Sequence, residues 1–308
     1  MVQLRGVLFY VPNMRIEPIL ALVAMVAASC APSADAPGVT STTAVPALVV
    51  SSTSTTAAAS PTTTSTIPAT TTTDPHARPE WLGTRPLPLR PDGHGVAQET
   101  PDELVDRLLA TVDLLDPPFS AEFESSIGPI PPDVLARSSW QEGCPVAVEG
   151  LRYLTMSHYG FDGELHTGEM IVNATVAEDV VRVFARLHEE RFPIEQMRVI
   201  RAEEIDDHPT GDWNETTSFV CRPAVGSSNW SQHAFGLAID LNPFHNPYLK
   251  GDLVIPELAR AYTDRDHVRE GMILEGDVVV EAFAEIGWAW GGDWNTLRDW
   301  MHFSLTGR

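Results

Sequence analysis

Ser231-Gln232-His233-Ala234-Phe235-Gly236-Leu237-Ala238-Ile239-Asp240-Leu241 is the stretch on which the fold turns. It sets an imidazole, a glycine and a carboxylate inside one short apolar run. A carboxylate in apolar surroundings is costly unless a positive group stands beside it. His233 and Asp240 are seven positions apart, and an odd separation puts two residues on opposite faces of one flat strand. They converge if the chain turns at Gly236 and then runs as a strand over 237–241. A second cluster, Asp299-Trp300-Met301-His302-Phe303, follows downstream. His233, Asp240 and His302 are three donors of the kind that hold one Zn2+, leaving a fourth position for water. Asp299 lies three residues before His302. If the chain makes one turn there, its carboxylate comes beside that histidine, where it can accept the water's proton and pass it to a leaving amine. The same residues also fit a buried Asp–His pair with an unrelated surface pair, and spacing alone does not separate the two.

Other routes to hydrolysis fail on the text. His188-Glu189-Glu190-Arg191-Phe192 begins like the helical His-Glu-x-x-His zinc motif but ends in Phe. A Ser-x-x-Lys pair is absent, because the only lysine, Lys250, has Pro247 three residues earlier. Gly226-Ser227-Ser228-Asn229-Trp230 lacks the second glycine of a nucleophile elbow. Arg222 can bind a substrate carboxylate or a developing oxyanion with its planar fork of donors, or sit in a surface ion pair. Ser231 can orient a metal ligand, or be a plain loop serine. Trp230, Trp288, Trp290, Trp294 and Trp300 crowd the same region; they serve as core or as the wall of a peptide cleft. His158, His166, His245 and His267 are read as non-ligands.

The chain has 308 residues, 42 acidic against 20 basic, and a formal net charge of −22. Such a balance disfavours nucleic acid or an anionic membrane as a partner bound through a basic patch. Its three cysteines are Cys30, Cys144 and Cys221. Cys30 closes the run Leu20-Ala21-Leu22-Val23-Ala24-Met25-Val26-Ala27-Ala28-Ser29-Cys30, behind Arg5 and Arg15. The run is short for a membrane span and has the form of an export signal, with Met14 an alternative start. Its end resembles a bacterial lipoprotein signal, with Cys30 as the lipidated residue. Membrane contact is therefore expected only through a lipid anchor or the signal segment, and the chain is expected in the cell envelope or secreted. Setting Cys30 aside leaves Cys144 and Cys221 as an even pair. They can form a disulfide in an oxidising compartment, or remain buried thiols.

The organisation expected is a signal segment over 1–30, a Ser/Thr/Pro-rich disordered linker over 31–95 whose last part, 79–95, is extended and partly ordered, a helical extension over 96–137 and a globular catalytic candidate over 138–308. In the extension, Thr100-Pro101-Asp102-Glu103 reads as a capped helix start, with Leu104, Leu108, Leu109 and Val112 as its stripe. Beyond it, 151–156 and 168–172 read as strands about the Phe161-Asp162-Gly163 turn. Residues 176–191 form the clearest helix, 278–286 a helix ended by Gly287, and 302–305 a last strand. Short strands alternating with helices give an α+β domain.

Several motifs together resemble a known family. Ser231-x-His233-x-x-Gly236-x-Ala238-x-Asp240, then Trp290-Gly291-Gly292-Asp293-Trp294, then Asp299-x-x-His302-Phe303, resemble the zinc D-alanyl-D-alanine carboxypeptidases and L-alanyl-D-glutamate endopeptidases. That group includes vancomycin-resistance-type carboxypeptidases and phage endolysin peptidases. Phe192-Pro193-Ile194, 217–222 and 242–248 resemble its endopeptidase branch, and the likeness runs over 144–305. The resemblance implies a hedgehog/D,D-peptidase fold with a small antiparallel sheet carrying the metal. It implies one zinc on His233, Asp240 and His302, with Asp299 as general base and Arg222 as the arginine that stabilises substrate and transition state. Peptidoglycan stem peptides are the implied partner, and the protein is expected to act as a monomer. A D-Ala-D-Ala dipeptidase is the neighbouring alternative. A zinc-containing wall-binding or signalling module without turnover is the alternative from another class.

Overall fold

The computed structural model describes residues 74–224 and 227–307. All of them lie within one compact unit, Pro68–Arg308. Cys30 and the export segment fall outside the described residues. Among the described residues, no helix is long and apolar enough to cross a membrane.

Residues 74–113 form a strap rather than a free linker followed by a helix. Leu87 is buried with Leu104, Phe244 and Tyr262, and Trp81 and Leu82 pack against the same cluster. The strap's one helix, α1 (Asp102–Val105), is a single turn. Order over 79–95 is more complete than the partly ordered, extended segment expected there, and the expected helical extension is corrected, since it is mostly non-helical. The reason lies at Arg107. Its backbone N–H donates to the Tyr262 hydroxyl at 2.8 Å, and its carbonyl accepts from His245 Nε2 at 3.0 Å. Groups satisfied by the core are not free for a helical ladder. Thr100 does not cap either. Its hydroxyl donates to the Leu258 carbonyl and accepts from the Ala261 N–H.

The Arg107 side chain is fully buried and makes a bidentate pair with buried Glu195, at 2.7 Å on both oxygens. Asn214 and the half-exposed Arg78 complete the carboxylate's shell. A buried carboxylate needs such company, and here two guanidinium groups supply it.

β1 (Ser125–Gly128) and α2 (Pro132–Arg137) lead into the long hairpin β2 (Leu151–Tyr159) and β3 (Leu165–Asn173). The three strands form one antiparallel sheet in the order β1-β2-β3. The hairpin closes through Gly163, whose φ of 77° explains the glycine. α3 (Ala177–Glu189) buries Val180, Val183, Phe184 and Leu187. At about 1.5–3 kcal/mol for each large apolar side chain buried, this face outweighs helix propensity. Arg191 takes a positive φ of 53°, and Pro193 follows.

Short strands complete the unit. β4 (Gln196–Met197) pairs in parallel with β5 (Glu215–Thr216). β6 (Ala238–Asp240) follows the quoted stretch, and β7 (Tyr248–Lys250) pairs with β8 (Leu253–Ile255). α4 (Val278–Glu285) is capped by Asp277, whose carboxylate accepts from the N–H groups of Val279 and Val280. β9 (Ala289–Trp290), β10 (Arg298–Asp299) and β11 (His302–Ser304) end the series. Two three-stranded sheets result, ordered β6-β11-β9 and β10-β7-β8. α4 packs on the first through Phe283, stacked on Phe303 at 4.0 Å. The result is an α+β arrangement of small, mainly antiparallel sheets.

Candidate metal centre

Period-two alternation in β6 and β11 builds the centre. Ile239 pairs with Phe303 and both are fully buried in the core. Their neighbours Asp240 and His302, also paired with each other, therefore project to the opposite face. His233 arrives from the preceding 3-10 turn, Gln232–Phe235. That turn ends at Gly236 with φ 65°, in the left-handed region. A Cβ there would sit 2.5 Å from the Asn173 nitrogen, so only glycine fits. The expected reversal at Gly236 is thus what turns seven residues of separation into convergence.

Donor atoms of His233, Asp240 and His302 all lie within 4.8 Å of one another. His233 Nε2 is 3.3 Å from His302 Nδ1 and 3.3 Å from Asp240 Oδ2. His302 Nδ1 is 3.0 Å from Asp240 Oδ1. His233 Nδ1 lies 2.7 Å from the Ser218 carbonyl. A carbonyl only accepts, so Nδ1 carries the proton, and in a neutral ring Nε2 is a bare lone pair. That lone pair faces a carboxylate oxygen, an arrangement that requires a cation or an extra proton between them. Tetrahedral ligands about 2.0–2.1 Å from zinc stand about 3.3 Å apart. The donor types and their spacing both fit a divalent metal. Burial pushes Asp240 upward, but the charges and hydrogen bonds of His233 and His302 outweigh it and hold the carboxyl well below the usual carboxylate range.

Asp299 stands beside this group. Its Oδ1 is buried with no hydrogen-bond partner among the described residues. Burial pushes the carboxyl up to about 7, with His302 pulling down and Asp240 pushing up. A cation held by the neighbouring donors would draw that value down. The chain turns at residues 300–301 between Asp299 and His302, as their spacing predicts. Gly291 makes the close packing possible: a Cβ there would meet the Asp299 carbonyl at 2.5 Å and the His302 Cβ at 3.3 Å. Trp294 flanks the His302 ring with centroids 5.5 Å apart. Trp288, Trp290 and Trp300 are buried in the core, whereas Trp230 is exposed.

Ser231 acts on the backbone rather than on the imidazole. Its hydroxyl accepts from the His233 N–H at 3.3 Å, capping the turn. The ring is oriented instead by the Ser218 carbonyl, which sequence reasoning missed. A backbone carbonyl leaves no mark in residue identity; in the structure it is the bridge of Thr217, next to Ser218, to Asp240 that brings it to the ring. Gly291 enters the sequence only within the Trp290–Trp294 motif, and its role in seating Asp299 needed coordinates. Cys144 and Cys221 are joined by a disulfide. Arg222, next to it, donates from Nη1 to the Pro223 carbonyl. It lines a cavity of about 480 Å³ with Ser139, Trp140, Cys221 and Trp230. Its backbone is tied to the metal-donor turn, since its carbonyl accepts from the Ser231 N–H. The structure thus gathers His233, Asp240, His302 and Asp299, and leaves the Arg222 side chain in a cavity that none of these four lines.

Residues 225–305 match the sequence model of a family described as D-alanyl-D-alanine carboxypeptidase. The match covers about a quarter of the chain and holds Ser231, all three candidate metal donors, Gly291 and Asp299. It supports a peptidase, and Arg222 lies just outside it. Neither the curated proteins nor the solved structures gave a match.

Proposed function

We propose that this chain is a zinc peptidase of the hedgehog/D,D-peptidase fold that hydrolyses a peptide bond in peptidoglycan stem peptides. The observation that carries this reading is the convergence of two imidazoles and a carboxylate beside the orphaned oxygen of Asp299. His233, Asp240 and His302 would hold the ion. Zinc in such a site polarises a substrate carbonyl and lowers the pKa of water towards neutrality. Asp299 takes a proton from the attacking water and delivers it to the departing amine nitrogen as the carbon–nitrogen bond breaks. Its buried Oδ1, beside the candidate donors and without a hydrogen-bond partner among the described residues, is placed for both halves of that transfer. The Ser218 carbonyl keeps the His233 ring in the tautomer that offers Nε2. Arg222, in its groove next to the donor turn, holds the substrate by a carboxylate or peptide oxygen. We further propose that the chain is exported, lipid-anchored through Cys30, and acts as a monomer.

The test is the full chain, loaded with zinc and incubated with purified muropeptides, with products weighed by mass spectrometry. A product lighter by the mass of a released amino acid or peptide fragment supports the reading and identifies the bond. Zinc binding without any cleavage by the wild type would instead make the chain a wall-binding or signalling module.

A further inference from the structure

β7 and β10 place a second polar group beside Asp299. Asp299 pairs directly with Tyr248 across these antiparallel strands. Residues directly opposed in such a pair share a face, with Cβ atoms about 4.5–5.5 Å apart. Tyr248 is half-buried. Burial, followed by the Asp299 charge, raises its phenol above the ordinary value, and no hydrogen bond contributes to that shift. It is therefore a protonated donor throughout the neutral range, on the strand position that faces Asp299.

The position is rigid. Two residues before Tyr248, the buried Asn246 donates to the carbonyls of Leu241, Asn242 and Gly271. Its oxygen accepts from the Ile273 N–H at 2.6 Å and from Arg265. Next to it, His245 is stacked on Phe161 with centroids 4.5 Å apart. The backbone that carries Tyr248 is thereby fixed against the core, so its Cα loses little freedom when a substrate is engaged. Arg222, the other candidate donor, has a guanidinium hydrogen engaged by the Pro223 carbonyl and lines a separate cavity.

We propose that Tyr248 is a further catalytic residue of this centre, its phenol O–H donating a hydrogen bond to the scissile carbonyl oxygen as that oxygen gains charge. The phenol keeps its proton throughout, and the proton that moves is the one carried by Asp299. This proposal rests on the peptidase reading above, and it assigns the same site a donor from β7.

Two measurements on the full chain test it. In the zinc-loaded protein, Tyr248→Phe should lower kcat on muropeptides by about 10²-fold, with KM and zinc content unchanged, the size expected when one oxyanion donor is lost. A kcat within about twofold of the wild type would overturn the proposal. In the metal-free protein, the phenol signal that Tyr248→Phe removes should titrate at lower pH once Asp299→Asn removes the neighbouring charge. An unmoved titration would overturn the placement of the phenol over Asp299. If the phenol responds but no muropeptide is cut by the wild type, the peptidase reading fails, and the task assigned to Tyr248 fails with it.

Discussion

His302 faces Asp240 directly across the β6–β11 ladder, with Nδ1 3.0 Å from the carboxylate oxygen. The pairing joins residues 62 positions apart, and its register is set by the core pair Ile239 and Phe303 on the other face. A one-residue slip would bury both polar groups and expose both apolar ones. The candidate metal site and the hydrophobic core are therefore two sides of one register.

Loss of any one donor should empty the site. In His233→Ala, Asp240→Asn or His302→Ala, bound zinc should fall from about one ion per chain to near none. Metal analysis after dialysis checks this, and full occupancy in any of the three would reject that residue as a ligand.

Asp299→Asn separates binding from turnover. Zinc content should stay at the wild-type level while kcat drops by about 10²–10⁴, the usual contribution of a positioned general base. Equal kcat in the two proteins would remove Asp299 from the mechanism.

Gly291→Ala should impair the centre without touching a donor. The added methyl meets the Asp299 carbonyl at 2.5 Å, the Asp299 Cβ at 3.0 Å and the His302 Cβ at 3.3 Å. Overpacking of this kind costs about 1–3 kcal/mol. Both activity and melting temperature should fall, and an unchanged pair of values would show that the turn relaxes freely.

Acid should destabilise the fold before it protonates most carboxylates. Burial holds His158 and His245 down to about 4. Their folded forms stay neutral while the unfolded chain takes up protons below about 6.5. The stability they contribute is thus fully present above about 6.5 and is lost as pH falls towards 4, on the order of 3 kcal/mol for each. Denaturant midpoints measured between those limits should slope downward. A replacement such as His158→Gln should flatten the slope, and a level wild-type curve would contradict the burial of neutral rings.

The Cys144–Cys221 bridge closes a long loop, with 77 residues of separation. Chain-entropy arguments give such a link about 4 kcal/mol. The double replacement Cys144→Ser with Cys221→Ser should lower the denaturation midpoint accordingly. The three metal donors should still bind, since their ladder does not include the bridge.

Much of the centre was legible because its chemistry is local to two short stretches. Gly236 announced the reversal, and the strands over 237–241 and 302–305 were expected, although their pairing through Ile239 and Phe303 came only with the coordinates. The helix over 177–189 followed from its apolar face. What the sequence hid depends on distant partners. Thr100-Pro101-Asp102-Glu103 has the composition of a capped helix, yet Leu258 and Ala261 take the Thr100 hydroxyl, and Tyr262 and His245 take the backbone of Arg107. Local preference was overridden by contacts about 140–160 residues away. The Ser218 carbonyl and the neighbourhood of Tyr248 and Asp299 are likewise products of strand pairing, which single-residue patterns do not encode.

The strap also bears on how this catalytic region can be moved. A shortened chain starting at residue 138 would leave Glu195 without Arg107 and Arg78, and would uncover the walls formed by Phe244 and Tyr262. An uncompensated inward carboxylate costs several kcal/mol, a large share of what holds a domain together. Anyone grafting this hydrolase onto another scaffold must carry residues 74–113 along, because the portable unit is longer than its chemistry.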